Sequence, residues 1–143
     1  MNYIRNILNS RSKNDGNFFL QLQKILGFKP KDKTLYIKAF THRSMNIKDK
    51  GGAAINYERL EFVGDAMLGA VIASYLFSEV PEGDEGYLTK MRSKVVSREH
   101  LNELGKELNL IDFIESKIPK RNFGNNIHGN LFEALVGAIF LDR

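Results

Sequence analysis

The segment "NYERLEFVGDAMLGAVIASYLF" at 56–77 sets three carboxylates, Glu58, Glu61 and Asp65, into the first half of an otherwise apolar run. At about 100° per residue the three fall within roughly 60° of one another on a helix. Leu60, Val63, Met67 and Val71 form an apolar stripe on the other side, and Leu68, Ile72 and Leu76 continue the acidic side as an apolar one. A helix apolar all round is expected to be buried within its domain. A carboxylate on such a helix takes up a proton, pairs with a cation or binds a metal.

A second apolar run, "NLFEALVGAIFLD" at 130–142, repeats the pattern with Asn130 and Glu133 at i, i+3 and Gly137 one turn on. Two such helices packed closely beside their glycines would bring these oxygens together, and like charges that close call for a cation between them. Oxygen donors without cysteine or histidine suit Mg²⁺ or Mn²⁺ rather than zinc. The ferritin-like di-iron alternative needs a Glu-x-x-His motif, which the chain lacks. Spacing leaves another outcome open: carboxylates at the edge of a core, capped by Arg59 or by arginines elsewhere in the fold.

The elements that must position these residues read as helices. Apolar spacing predicts one over 18–28, "FFLQLQKILGF", closed by Gly27, and another over 34–45, "TLYIKAFTHRSM", opened by Pro30 and Lys31-Asp32. "NIKDKGGAAI" (46–55) reads as a loop, and the long helix runs from 56 to 79, stopped by Pro81 and Gly83. Helical segments follow at 85–97 and 98–110. Residues 111–127, with Pro119 and Gly124, read as a partly irregular connection before a last apolar helix at 128–143. Without a repeat or a strand pattern the expected class is all-α. A polar, weakly ordered extension at 1–17 precedes a domain at 18–143.

With 143 residues and 43% hydrophobic content, one domain with its own core is expected. The absence of cysteine excludes thiolate metal sites and a disulfide framework. No run of 18 apolar residues is free of charge, so no membrane partner is expected, and the N-terminus lacks the apolar region of a signal peptide. A cytoplasmic location is the plain expectation. The net charge of +4 is mild, but "KMRSKVVSR" (90–98) gathers Lys90, Arg92, Lys94 and Arg98 without an acid, and "SKIPKR" (116–121) adds a second basic run. Such runs fit a polyanionic partner or, equally, a solvated helix face.

"NYERLEFVGDAML" resembles the signature helix of the ribonuclease III family. The likeness extends to "AFTHRSM" (39–45), which matches the family's Thr-His-x-Ser element, to "DEGYLTKMRSKVVS" (84–97), and to "NLFEALVGAIFLD" as the second catalytic helix. It covers roughly 18–143. This resemblance implies the all-helical fold of the family's endonuclease domain, homodimeric, which cuts double-stranded RNA in RNA processing. Each subunit would hydrolyse one strand, leaving 5′ phosphates and short 3′ overhangs. Pre-ribosomal, messenger and regulatory RNAs all stay open as substrates.

Position by position, the resemblance makes Glu61, Asp65 and Glu133 catalytic ligands of Mg²⁺, with Mn²⁺ as a substitute. Asn130 falls where the family places a fourth acid, an aspartate. Glu58 and Glu85 match secondary acidic positions of the RNA cleft, and Phe62 matches an aromatic at the dimer interface that inserts into a pocket of the second subunit. Its neighbours on the helix face, Ala66, Gly69 and Ala73, are small. Lys90, Arg92, Lys94 and Arg98 are the candidates for RNA phosphate contacts. His42 reads as a satisfied structural histidine, and His100 and His128 offer no better case. Asn130 removes one negative charge, so an inactive relative that binds structured RNA or the ribosome is the competing expectation. The family often continues into a double-stranded-RNA-binding domain, and none is expected within residues 1–143.

Overall fold

The most apolar segment becomes the central helix. In the computed structural model, which describes residues 15–143, the described residues form six α-helices, the last of them central: α1 (Asp15–Leu26), α2 (Lys33–Ala39), α3 (Glu58–Glu79), α4 (Glu85–Val95), α5 (Arg98–Glu107) and α6 (Asn126–Asp142). Short 3₁₀ turns at Arg43–Met45, Leu110–Phe113 and Lys120–Asn122 join them. Among the described residues the only β pairings are isolated bridges, Thr41 with Glu115 and Lys48 with Ala54. The fold is all-α. The polar segment 1–14 lies outside the described residues, and α1 begins at Asp15, inside the expected extension.

Local chemistry sets the helix ends. Asp32, Ser97 and Asp84 each accept a backbone N–H at the start of α2, α5 and α4, from Thr34, His100 and Tyr87 respectively. Beyond α1, Gly27 takes φ +74°, the left-handed geometry that closes a helix. The second expected helix is shorter than its apolar spacing suggested. It stops at Ala39, because Thr41 leaves the helix to pair with Glu115 and His42 N–H donates to the Glu115 carbonyl at 2.9 Å.

α6 buries Leu131, Ala134, Leu135 and Ala138 among Leu22, Tyr36, Phe40 and Leu110. It packs against α3, α5 and α2. Glycines let the backbones meet. A methyl group at Gly64 would overlap the Glu133 carbonyl, one at Gly137 would overlap that of Leu60, and one at Gly105 would overlap that of His128. At its far end α6 is clasped to the start of α2: buried Asp142 accepts the N–H groups of Lys31 and Asp32 and the Tyr36 hydroxyl, the last at 2.8 Å.

The long helix departs from expectation. Within this chain α3 buries only Leu60, Gly64 and Leu76, while Phe62, Val71, Tyr75 and Phe77 are exposed, Phe62 by 79%. Apolar residues around a helix establish that its faces avoid water, not that they are covered by the same chain. α3 also has the length and mean hydropathy, 1.5, of a bilayer-crossing helix. Its uncharged part, 66–78, is only about 20 Å long at 1.5 Å per residue, against a hydrocarbon core of about 30 Å.

Candidate active site

The α3–α6 crossing at Gly64 and Gly137 assembles the site, since Glu61 and Asp65 flank one glycine and Glu133 precedes the other by one turn. Glu58, Glu61, Asp65, Asn130 and Glu133 line a single open cavity of about 640 Å³. Residues some 70 positions apart in sequence thus meet because two backbones can touch. Tyr57, His42 and Arg43 complete one wall, and Phe62 stands at the rim.

Burial dominates the electrostatics. Glu133 is 4% exposed, and loss of hydration pushes its carboxyl up to about 7, opposed by Arg98 and reinforced by Asp65 and Glu61. Glu61 is also raised, first by burial, with Arg98 opposing and Glu58 and Asp65 adding. Arg98 is the counter-charge: its Nη1 donates to Asn130 Oδ1 at 2.5 Å and lies 3.8 Å from Glu133 Oε1. Glu58 pairs loosely with Arg43 at 3.9 Å on the surface.

His42 is buried, and its Nδ1 accepts the Ser44 N–H at 3.1 Å while Ser44 Oγ also meets Ser116 Oγ at 3.0 Å. Its ring packs edge-on to Phe123. Burial, with Arg43 adding, holds its pKa below the usual histidine range, so the ring is neutral at pH 7. The surroundings are those of a structural histidine.

The donor set suits a hard divalent cation: three carboxylates and an amide oxygen on two rigid helices, with no sulfur and no coordinating nitrogen. Among the described residues no three histidine or acidic side chains are drawn together tightly enough to hold an ion as they stand. To hold an ion, the set would have to close by side-chain rotation about the fixed crossing.

The other candidates are distributed differently. Glu85 and Arg92 line a second, more apolar groove of about 510 Å³, with Ala73, Phe77, Val80 and Leu88, between α3 and α4. Lys90 and Lys94 are exposed on α4. Arg98, expected alongside them as a phosphate contact, instead turns into the acidic cavity. Sequence reasoning missed Tyr57 and Arg43 as wall residues and missed the direction of Arg98. The spacing did carry one signal for the latter, since Gly105 and Gly129 mark the close approach of α5 to α6 that aims Arg98 inward.

A family model described as Ribonuclease-III-like matches residues 32–143. The Ribonuclease 3 of Zunongwangia profunda is 73% identical over 143 residues, all of this chain and 59% of that protein. That of Flavobacterium psychrophilum is 69% identical, again over all of this chain and 58% of its own length. The chain therefore spans somewhat more than half of these curated relatives. Among solved structures, the nuclease domain of ribonuclease III from Campylobacter jejuni aligns with a TM-score of 0.74 and 36% identity, covering 85% of this chain and 84% of that one. The work on that domain describes a region involved in its dimer formation. A Dicer from Pichia stipitis aligns over 79% of this chain and 47% of that one, with TM-score 0.59 and 27% identity. Matched by its family model over most of its length, and sharing a fold with a solved nuclease domain at this identity, the chain belongs to the ribonuclease-III-like family.

Proposed function

We propose that this chain is the endonuclease part of a ribonuclease III that hydrolyses double-stranded RNA in the cytoplasm with Mg²⁺ or Mn²⁺. The observation that carries the reading is the convergence of Glu61, Asp65, Asn130 and Glu133 on one cavity across the glycine crossing. These four side chains would hold the ion. The chemistry supplied when Mg²⁺ is bound is a water of lowered pKa and charge stabilisation at the scissile phosphate. Glu133 must first give up the proton that burial favours. Glu61 and Asp65 face it from α3 and contribute charge, whereas Asn130 orients a neutral oxygen. Neutral His42, engaged through Nδ1, shapes the wall and moves no proton. No protein nucleophile is required, and the products carry 5′ phosphates.

The exposed face of α3, with Phe62 beside Ala66, Gly69 and Ala73, supports a homodimer that cuts one strand per subunit and leaves short 3′ overhangs. The α3–α4 groove is apolar enough to receive an aromatic from a second copy. It would also bring Glu85 into the shared cleft. Lys90, Arg92 and Lys94 on α4 supply charge for duplex phosphates, a role that steepens the salt dependence of binding.

Asn130 favours one second reading, a relative that binds structured RNA or the ribosome without cutting. Cleavage of a labelled RNA duplex at low salt, with Mg²⁺ and with chelator, separates the two. Metal-dependent cutting by the native chain supports the enzyme. Cutting by Asn130→Asp alone identifies a nuclease silenced at one oxygen. Binding without cutting by either, as folded dimers, sinks the catalytic reading.

A further inference from the structure

Arg98 sets a cation directly against two of the oxygens that a metal ion would use. It is the first residue of α5, and that helix is held firmly. Ser97 caps it, Asn102 Oδ1 accepts the Gly129 N–H at 2.9 Å, and Asn102 Nδ2 donates to Asn126 at 3.2 Å. One turn before Asn102, the Arg98 side chain therefore leaves a fixed base directed at the start of α6. Gly129 makes room for it: a methyl there would sit 3.2 Å from Arg98 Nη1. The guanidinium ends against Asn130 and Glu133 while the side chain as a whole keeps 45% exposure. Its base is anchored, its head engaged, and the way to solvent is open.

We infer that Arg98 is the exchangeable counter-cation of this site. It holds Asn130 and Glu133 when no divalent ion is bound, and it is driven out into solvent, within reach of an RNA phosphate, when one binds. The inference rests on the metal-site reading above and deepens it. A guanidinium and a dication cannot share Asn130 Oδ1 and Glu133, because their repulsion at a few ångströms outweighs what a half-exposed ion pair contributes. The splay of the carboxylates fits this arrangement, since two of the four oxygen donors are turned toward an arginine. A purely structural role for Arg98, positioning Asn130 for the metal, makes the opposite prediction: its removal would weaken metal binding.

The experiment is Mn²⁺ binding to the whole chain, with unbound Mn²⁺ counted by electron paramagnetic resonance at pH 8, for native protein, Arg98→Gln and Arg98→Lys. Arg98→Gln should bind at least about tenfold more tightly, whereas Arg98→Lys, which keeps the charge, should stay near the native affinity. Independently of any variant's affinity, the Arg98 Nε–H resonance of the native protein should move on Mg²⁺ addition to the position of solvated arginines. Equal or weaker Mn²⁺ binding by folded Arg98→Gln overturns the inference, as does an Arg98 resonance unmoved at saturating Mg²⁺. Should neither native protein nor Arg98→Gln bind Mn²⁺, the metal-site reading itself falls and takes the inference with it. Native binding with no gain in Arg98→Gln removes only the inference.

Discussion

Gly64→Ala tests the feature on which the site depends. In a helix interior this change is ordinarily favourable by up to about 1 kcal/mol, since alanine loses less backbone entropy than glycine. Here the added methyl would overlap the Glu133 carbonyl, with Glu133 C and Gly137 N close behind. These are backbone atoms and cannot turn aside. The two helices must therefore part by roughly 1 Å or more, in an interior packed too densely to absorb the shift. Overpacking of this kind costs about 1–3 kcal/mol, and a backbone obstacle sets the expectation at the upper end. The net loss is then about 2 kcal/mol, or a fall in melting temperature of roughly 6–8 °C for a domain of this size. Parting α3 from α6 also draws Glu61 and Asp65 away from Asn130 and Glu133, so Mn²⁺ affinity should fall at least about tenfold. Gly16, with open space around it in α1, is the control: Gly16→Ala should be neutral or mildly stabilising. Urea denaturation followed by circular dichroism, with Mn²⁺ titration of the same samples, reads both quantities. If Gly64→Ala is as stable as the native chain and binds Mn²⁺ equally well, the crossing does not assemble the site.

Three further outcomes follow from the packing and electrostatics. Glu133 has a folded pKa of about 7 against 4.5 for the unperturbed group, so between those values the folded chain keeps a proton that the unfolded chain releases. In chelator, native stability relative to Glu133→Gln should therefore fall as pH rises through this window, by up to about 3 kcal/mol. A flat difference would show that Glu133 ionises normally. Phe62→Glu should convert dimers to monomers in light scattering without changing helicity, because it places a charge where an exposed ring would be buried. An unchanged dimer removes Phe62 from the interface. Asp142→Asn should cost about 1.5–3 kcal/mol in urea denaturation, since it weakens charge-assisted bonds at a buried site. Backbone N–H groups and Tyr36 hold the Asp142 carboxyl below its usual pKa despite burial, so this contribution is present above about pH 4 and is lost as acid protonates it. Equal stability of the two proteins at neutral pH would refute the assignment.

Much of the site was legible because chemistry and periodicity agreed. Three acids within 60° on an apolar helix, and an amide and an acid at i, i+3 on another, marked the oxygens that line one cavity. The glycines beside them marked how the helices approach. Burial was less legible. The apolar circumference of 58–79 suggested a helix enclosed by its own chain, yet Phe62, Val71, Tyr75 and Phe77 face outward, because hydrophobicity does not specify which chain provides the cover. The end of α2 was misjudged for a related reason. "FTHRSM" fits a helix locally, but the bond from His42 N–H to Glu115, 73 positions on, holds His42 in extended backbone ahead of the 3₁₀ turn at Arg43–Met45. The direction of Arg98 depends on the α5–α6 approach, which Gly105 and Gly129 hint at but whose angle is set only when the two helices pack.

The clasp at Asp142 bears on how the site can move. α6 is tied to α5 at its beginning through Asn102 and to α2 at its end through Asp142, with the Gly64 contact between. A helix held at both ends and wedged at its middle can neither slide nor roll. One residue of slippage would advance it by about 1.5 Å and turn it by about 100°, which would carry Asn130 and Glu133 out of the cavity altogether. What freedom the site retains is torsional. It resides in the few side-chain bonds of Glu61, Asp65, Glu133 and Arg98, so changes in occupancy should leave the helical frame in place while rearranging what it holds.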